Sequence, residues 1–192
     1  VLTYAYHTRN HGIQFSCNTD HEFDSLSELK ISGVTDASGN SPPNPKRGTS
    51  GHVVLMAGNV INYRARRQTC TADSLAEGEY IAAVECSHDM IFHDNVRTSI
   101  MDDLQLDYCS EPMDLHIDNA AAEKIANTFH ITGRSRHIEK KFWILKDRVA
   151  TGRIKMVHRS SETNEADLLT KAVKIPCFER LKSKLVQPKP EL

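Results

Sequence analysis

Four acids stand where a carboxylate can do more than solvate a surface: Asp36, Glu79, Asp118 and Asp167. The chain carries 25 Asp and Glu in 192 residues, so place rather than presence singles these out. Asp36 lies at the end of the alternating stretch LKISGVTDAS, and Asp118 follows a second alternating run, Met113 to Ile117, just before a helix-forming segment. In α/β sheets, reactive side chains collect in the crevice beyond the strand ends, where a rigid sheet holds them yet solvent reaches them. If those two strands are neighbours, the two carboxylates converge.

Glu77 and Glu79 both fall in the first turns of the following helix, but at about 100° per residue they point about 200° apart, so only one faces the sheet. Glu79 shares a stripe with Leu75, Ala82, Ala83 and Cys86, which puts Glu77 nearer solvent. Burying an acid on an apolar stripe is costly unless it is neutralised or meets a cation. Asp167, in the first turn of the last helix, reads by itself as a charge that benefits from the helix dipole; as the fourth member of a converging set it becomes a ligand. Several carboxylates in one cleft, without a nucleophilic Ser or Cys, are hard oxygen donors suited to Mg²⁺ or Mn²⁺. Two such ions roughly 4 Å apart stabilise both the attacking water and the leaving oxygen in phosphodiester hydrolysis.

The elements that must position these acids follow from the pattern. After the first strand, SGNSPPNPKRG is a loop, and Val53 to Met56 and Val60 to Tyr63 form a hairpin around Ala57-Gly58-Asn59. Asp73 or Ser74 caps a helix to about His88, followed directly by a second helical stretch over roughly 89–104. Ala120 to Asn127 is a strong helix former, a basic helix covers about 135–151 and stops at Gly152, and Ile154 to Val157 is a short strand. Thr163 or Asn164 caps a final helix through Lys171. The order β-β-β-α-α-β-α-α-β-α implies an α/β fold with a mixed five-stranded sheet: three antiparallel strands, then two parallel ones, flanked by helices. Residues 1–12 read as a short helix closed by Gly12, Ile13 to Phe15 as the start of a strand, and 16–28 as loop.

Composition narrows the function classes. No stretch approaches the roughly 18 apolar residues of a membrane helix, and the start lacks a signal-peptide pattern, so a soluble, intracellular protein without a membrane partner is expected. Five scattered cysteines without a CxxC pair exclude a disulfide scaffold and speak against zinc; they read as reduced thiols, mostly buried. The net charge of −1 hides a local excess: nine Lys or Arg between Arg134 and Arg159 against Glu139 and Asp147. Such a run is a solvated helix face unless a nucleic-acid site lies beside it. The first residue, Val1, and the Pro- and Lys-rich end VQPKPEL make the chain read as a piece of a longer polypeptide.

Six segments in register resemble the ribonuclease H domain of copia-type (Pseudoviridae) LTR retrotransposon Pol polyproteins. They are Thr35-Asp36-Ala37-Ser38, the stretch from Lys46 to His52, the Glu79-Tyr80 pair in AEGEYIAAVE, and His116-Ile117-Asp118-Asn119. Ser135 to Lys141 and Asn164-Glu165-Ala166-Asp167-Leu168-Leu169-Thr170-Lys171 complete the set. The resemblance implies a ribonuclease H-like fold, cleavage of the RNA strand of RNA–DNA hybrids, and two Mg²⁺ or Mn²⁺ ions on Asp36, Glu79, Asp118 and Asp167. It assigns residues 1–28 to the end of the preceding reverse transcriptase, 29–172 to the ribonuclease H domain and 173–192 to a C-terminal tail. The partners it implies are an RNA–DNA hybrid and the reverse transcriptase portion of the same polyprotein, in a cytoplasmic virus-like particle or the nucleus.

Where the family commonly reads DADW after the first acid, this chain has Asp36-Ala37-Ser38-Gly39, and Gly78 immediately before Glu79 is a weak helix former. His158 lies nine residues before Asp167, where some ribonucleases H carry a proton-transferring or product-releasing histidine; a plain surface histidine is the competing reading. Candidate hybrid contacts are Ser38, Asn119, Arg134, Arg136, Lys140 and Lys141, because phosphate contacts position a duplex without reading its sequence. Two rivals remain in view. A DDE-type integrase shares fold and metals but places its Glu last, whereas here it comes second; a non-catalytic or host-adopted nucleic-acid-binding module would keep the fold without the reaction.

Overall fold

The structure, a computed structural model, describes residues 2–15, 29–39, 47–108, 111–127 and 139–188. Helix α1 (Leu2–His7) and the two-residue strand β1 (His11–Gly12) precede the sheet. Strand β2 (Ile31–Ser38) pairs antiparallel with β3 (Thr49–Met56), which pairs antiparallel with β4 (Asn59–Arg67). The connection between β3 and β4 is a two-residue turn with φ of 49° at Ala57 and 76° at Gly58. Positive φ at both central residues is the turn whose twist matches that of the flanking strands, so these strands extend well beyond the apolar cores that mark them in sequence.

Helix α2 runs unbroken from Leu75 to Asp103. The sequence reading divides this stretch into two helices, but no Gly or Pro lies between Ile81 and Asp103 to break it, so the intrahelical ladder continues past His88. Ser74 is its N-cap: the Ser74 hydroxyl accepts from the Glu77 N–H at 3.2 Å, and the Glu77 carboxylate accepts from the Asp73 N–H at 2.7 Å. This reciprocal arrangement resembles a capping box and gives Glu77 a structural task. Ala82, Ala83 and Cys86 are buried as the stripe requires, whereas Leu75 is 70% exposed and does not belong to it.

Strand β5 (Met113–Ile117) lies parallel to β2, and after α3 (Ala120–Asn127) and α4 (Glu139–Ala150), β6 (Ile154–His158) lies parallel to β5. The sheet order β4-β3-β2-β5-β6 makes the first and fourth strands of the sheet neighbours, as the convergence of Asp36 and Asp118 demands. A short 3-10 turn (Ser161–Thr163), the four-residue helix α5 (Asp167–Thr170), helix α6 (Ile175–Leu185) and strand β7 (Gln187–Pro188) complete the chain. The final helix expected through Lys171 is thus a 3-10 turn and a separate single turn, and a further helix occupies residues read as tail. Strand β7 pairs with β1.

The core lies between the sheet and α2, α3 and α4, with Ile31, Val54, Tyr80, Leu115, Ile117 and Leu145 among its members. Gly33 faces this side, since a Cβ there would meet Met90 and Cys86. Gly51, paired with Asp36, faces the opposite side, toward α5. Of the described cysteines, Cys86 is buried while Cys70 and Cys177 are only partly so. Among the described residues no helix is long and apolar enough to cross a membrane.

Candidate active site

Asp36 is the sixth residue of β2 and almost wholly buried, opposite Gly51 of β3. Asp118 follows the last residue of β5, one strand over, and is half-buried. Asp167 opens α5, which packs against β2 and β3 from the face that Gly51 leaves open. One carboxylate oxygen from each of Asp36, Asp118 and Asp167 lies within 4.8 Å of the others. Glu79, in the second turn of α2, is outside that three-residue set but buried beside it.

The electrostatics show that these acids act on one another. Burial first, then the charges of Asp36 and Asp118, push the Glu79 carboxyl up to about 9, against a hydrogen bond from the Ala37 backbone that favours the carboxylate. Glu79 Oε2 is buried with no hydrogen-bond partner among the described residues. Burial and Asp36 push Asp167 up to about 6, and the same two causes, in the same order, raise Asp118. Glu79, Asp118 and Asp167, all pushed toward the protonated form, lack the positive charge that would let them all ionise beside Asp36. The donor set is all hard oxygen and includes the unpartnered Glu79 oxygen, so it fits Mg²⁺ or Mn²⁺.

Asn164, expected as a helix cap, and Thr170 and Lys171, to which sequence reasoning assigns no part in the site, hold this cluster in place. Asn164, fully buried, donates from Nδ2 to the Thr35 carbonyl of β2 at 3.0 Å and accepts from the Ala166 N–H at 3.0 Å. It therefore does not cap α5 in the expected way but ties the loop before α5 to the strand bearing Asp36. The Thr170 hydroxyl donates to Asp36 Oδ2, and Lys171 Nζ lies 3.0 Å from Asp167 Oδ1 and 3.6 Å from Asp36 Oδ1. The available signal was the acidic segment NEADLLTK itself, in which every polar residue but Glu165 points into or supports the cluster.

The remaining candidates separate. His158 is exposed, the last residue of β6 rather than part of a loop, opposite Ile117 and close enough for its charge to favour ionised Asp118. Ser38 ends β2 beside the cluster. Asn119 Oδ1 accepts from the Ala121 and Ala122 N–H groups at 2.9 and 3.1 Å, so that atom caps α3. Arg134 and Arg136 lie outside the described residues, as do the side chains of Lys140 and Lys141. Later members of the basic segment do structural work: Arg148 bonds Ser87 and His88 of α2, Arg153 pairs with Asp94, and Arg159 pairs with Glu165.

No family model matches the chain. Among solved structures it is similar to LC11-RNase H1, isolated from compost by a metagenomic approach, with a TM-score of 0.53 and 18% identity over 74% of this chain and 93% of that one. A crystal structure of LC11-RNase H1 in complex with an RNA/DNA hybrid gives a TM-score of 0.52 at 17% identity, covering 73% and 94%. The fold is that of ribonuclease H, an α/β sheet of five mixed strands.

In sequence the chain is similar to the retrovirus-related Pol polyprotein from transposon TNT 1-94 of Nicotiana tabacum, 26% identical over 152 residues, 79% of this chain and 11% of the polyprotein. It is also similar to that from transposon RE1 of Arabidopsis thaliana, 23% identical over 185 residues, 96% and 12%. Fold and relatives together support a ribonuclease H domain of a Pol polyprotein. It spans only 11% and 12% of the length of these two relatives.

Proposed function

We propose that this chain is an endoribonuclease that hydrolyses the RNA strand of RNA–DNA hybrids during reverse transcription of a retrotransposon, with two divalent ions held by Asp36, Glu79, Asp118 and Asp167. The carrying observation is the convergence of Asp36, Asp118 and Asp167 within 4.8 Å, from three separate elements, with Glu79 buried against them. A cluster so costly in its empty state is kept where a cation uses it. The bound ions would activate the attacking water and stabilise the leaving oxygen.

The chain's own part is positional. Strands β2 and β5 fix Asp36 and Asp118, and the Asn164 bridge and Thr170 fix Asp167 against them. His158, exposed at the rim beside Asp118, is placed to exchange a proton with bulk water. Ser38 and Asn119 flank the acids where a strand would pass, and Arg134, Arg136, Lys140 and Lys141 would meet phosphates farther along the duplex. In this reading residues 1–28 continue from the reverse transcriptase, and the domain works inside a cytoplasmic virus-like particle.

The test is cleavage of a labelled RNA–DNA hybrid in Mg²⁺ or Mn²⁺ by the chain, alone and fused to the reverse transcriptase. Cleavage should fall about 10²–10³-fold in Asp36→Asn and in Asp118→Asn, as expected when a charge-stabilising group is lost. If both forms bind hybrid yet cut nothing with either ion, the chain is a binding module instead.

A further inference from the structure

Lys171 closes α5 one turn after Asp167, with its side chain partly exposed and its ammonium inside the acid cluster. Among the described residues, the ion pairs of Asp36 and of Asp167 are both with this one group, at 3.6 Å to Asp36 Oδ1 and 3.0 Å to Asp167 Oδ1. The other oxygen of Asp36 takes the Thr170 hydroxyl. Asp118 forms no ion pair with Lys171, and Glu79 Oε2 has no hydrogen-bond partner among the described residues. The acids thus divide by what already holds them: Asp36 and Asp167 are bridged by an ammonium, whereas Asp118 and Glu79 form no ion pair with it.

A divalent cation held by Asp36 and Asp167 would meet the ammonium at the same two carboxylates. It cannot share them with an ammonium at that separation, because like charges a few ångströms apart in a partly buried cleft repel strongly. Lysine suits an exchange of this kind: a point charge on a flexible four-carbon stem can leave a carboxylate without disturbing the backbone. The geometry points to Lys171 as a built-in counter-ion that holds the acid cluster together without metal and competes with the cation for Asp36 and Asp167. In this reading a cation that draws on Asp118 and Glu79 binds first, and one that draws on Asp36 and Asp167 binds only as the ammonium swings out. This inference rests on the metal-dependent reading of the site but not on the substrate.

Titration of the intact chain with Mn²⁺ alone, by calorimetry and by the paramagnetic resonance of free Mn²⁺, tests it without any nucleic acid. The wild type should bind in two steps of unequal affinity. In Lys171→Met the weaker step should tighten about tenfold, a fair size for one partly exposed ammonium removed from a cation's ligands. Its melting temperature in chelator should fall, and excess Mn²⁺ should restore it. Lys171→Arg, which keeps the charge, should stay near the wild type in both measurements. A Lys171→Met chain that folds only with Mn²⁺ would also support the counter-ion role. Unchanged Mn²⁺ affinity together with unchanged stability in chelator would overturn it. A wild type that binds no Mn²⁺ would instead sink the metal reading itself, whereas one that binds Mn²⁺ as described but cuts no hybrid would overturn only the nuclease.

Discussion

Glu79 and Asp167 each carry a pH signature with a definite sign. Glu79 is held up to about 9 in the folded chain against an ordinary 4.5, and Asp167 up to about 6 against 3.8. Below the ordinary values both groups are protonated folded or unfolded, and the folded state is not penalised. As pH rises through the window between ordinary and folded values, the unfolded chain gives up protons that the folded chain retains, so stability falls. Lys171, raised above its ordinary 10.5, is protonated in both states across this window and does not reverse the trend. The melting temperature in chelator should therefore drop steadily between about pH 5 and 9. Excess Mg²⁺ should raise it most at the alkaline end, and Glu79→Gln should flatten the slope. A chelated wild type whose melting temperature holds or climbs over that range would contradict the assignment. At this scale the sequence shows much: strand-end position marks Asp36 and Asp118, and helix phase chooses Glu79 over Glu77. What it hides is the company these acids keep, because Asn164 and Thr170 reach β2 across more than 120 residues of chain and no local pattern announces such a bond.

The close approach of α5 to β3 sets where Asp167 stands. A Cβ on Gly51 would lie 2.7 Å from Thr170 Cγ2, 2.8 Å from Leu169 Cβ and 3.1 Å from the Ala166 carbonyl. Leu169 Cβ and the Ala166 carbonyl are fixed by the backbone and cannot swing aside, so Gly51→Ala must push α5 off the sheet and carry Asp167 and Thr170 with it. We expect a stability loss of about 1–3 kcal/mol by overpacking and roughly 10²-fold slower hybrid cleavage from misplacement of the acid. Gly78 provides the contrast. The nearest atom to a Cβ there is 3.7 Å away, so Gly78→Ala should be accepted and should stabilise α2 by about 0.5–1 kcal/mol. Urea midpoints and cleavage rates of the two variants check both statements, and a harmless Gly51→Ala would refute the packing account. Sequence periodicity finds the hairpin, β5 and α3 but misjudges extents. It divides α2, since the His88–Asp89 region is polar enough to resemble a boundary, yet nothing there breaks the helical ladder.

For the whole molecule, the question is where the domain ends. Residues 173–192 read as tail because Pro176 and a run of lysines obscure an amphipathic helix with one buried apolar anchor, Leu181. Pro176 lies in the first turn of α6, where a missing N–H costs nothing, so it starts the helix rather than forbidding it. Helix α6 is tied back to the site-bearing segment: Arg180 donates to the Glu162 carbonyl at 2.7 Å, and Lys184 pairs with buried Glu165 at 3.0 Å. Beyond it, β7 pairs with β1, and Phe178 stacks edge-on against Tyr4, so leader and tail are fastened to each other. Ending the chain after Ala172 would remove Leu181 and one of the two cations that, among the described residues, pair with Glu165, beside the segment that delivers Asp167. The shortened chain should lose about 2–5 kcal/mol, the usual cost of emptying a buried leucine site, and Leu181→Ala in the intact chain should move the urea midpoint the same way. Hybrid cleavage should drop with it, because Asp167 depends on that segment. Should the shortened chain unfold at the same urea concentration as the intact one, α6 is an appendage and the tail boundary at residue 173 stands.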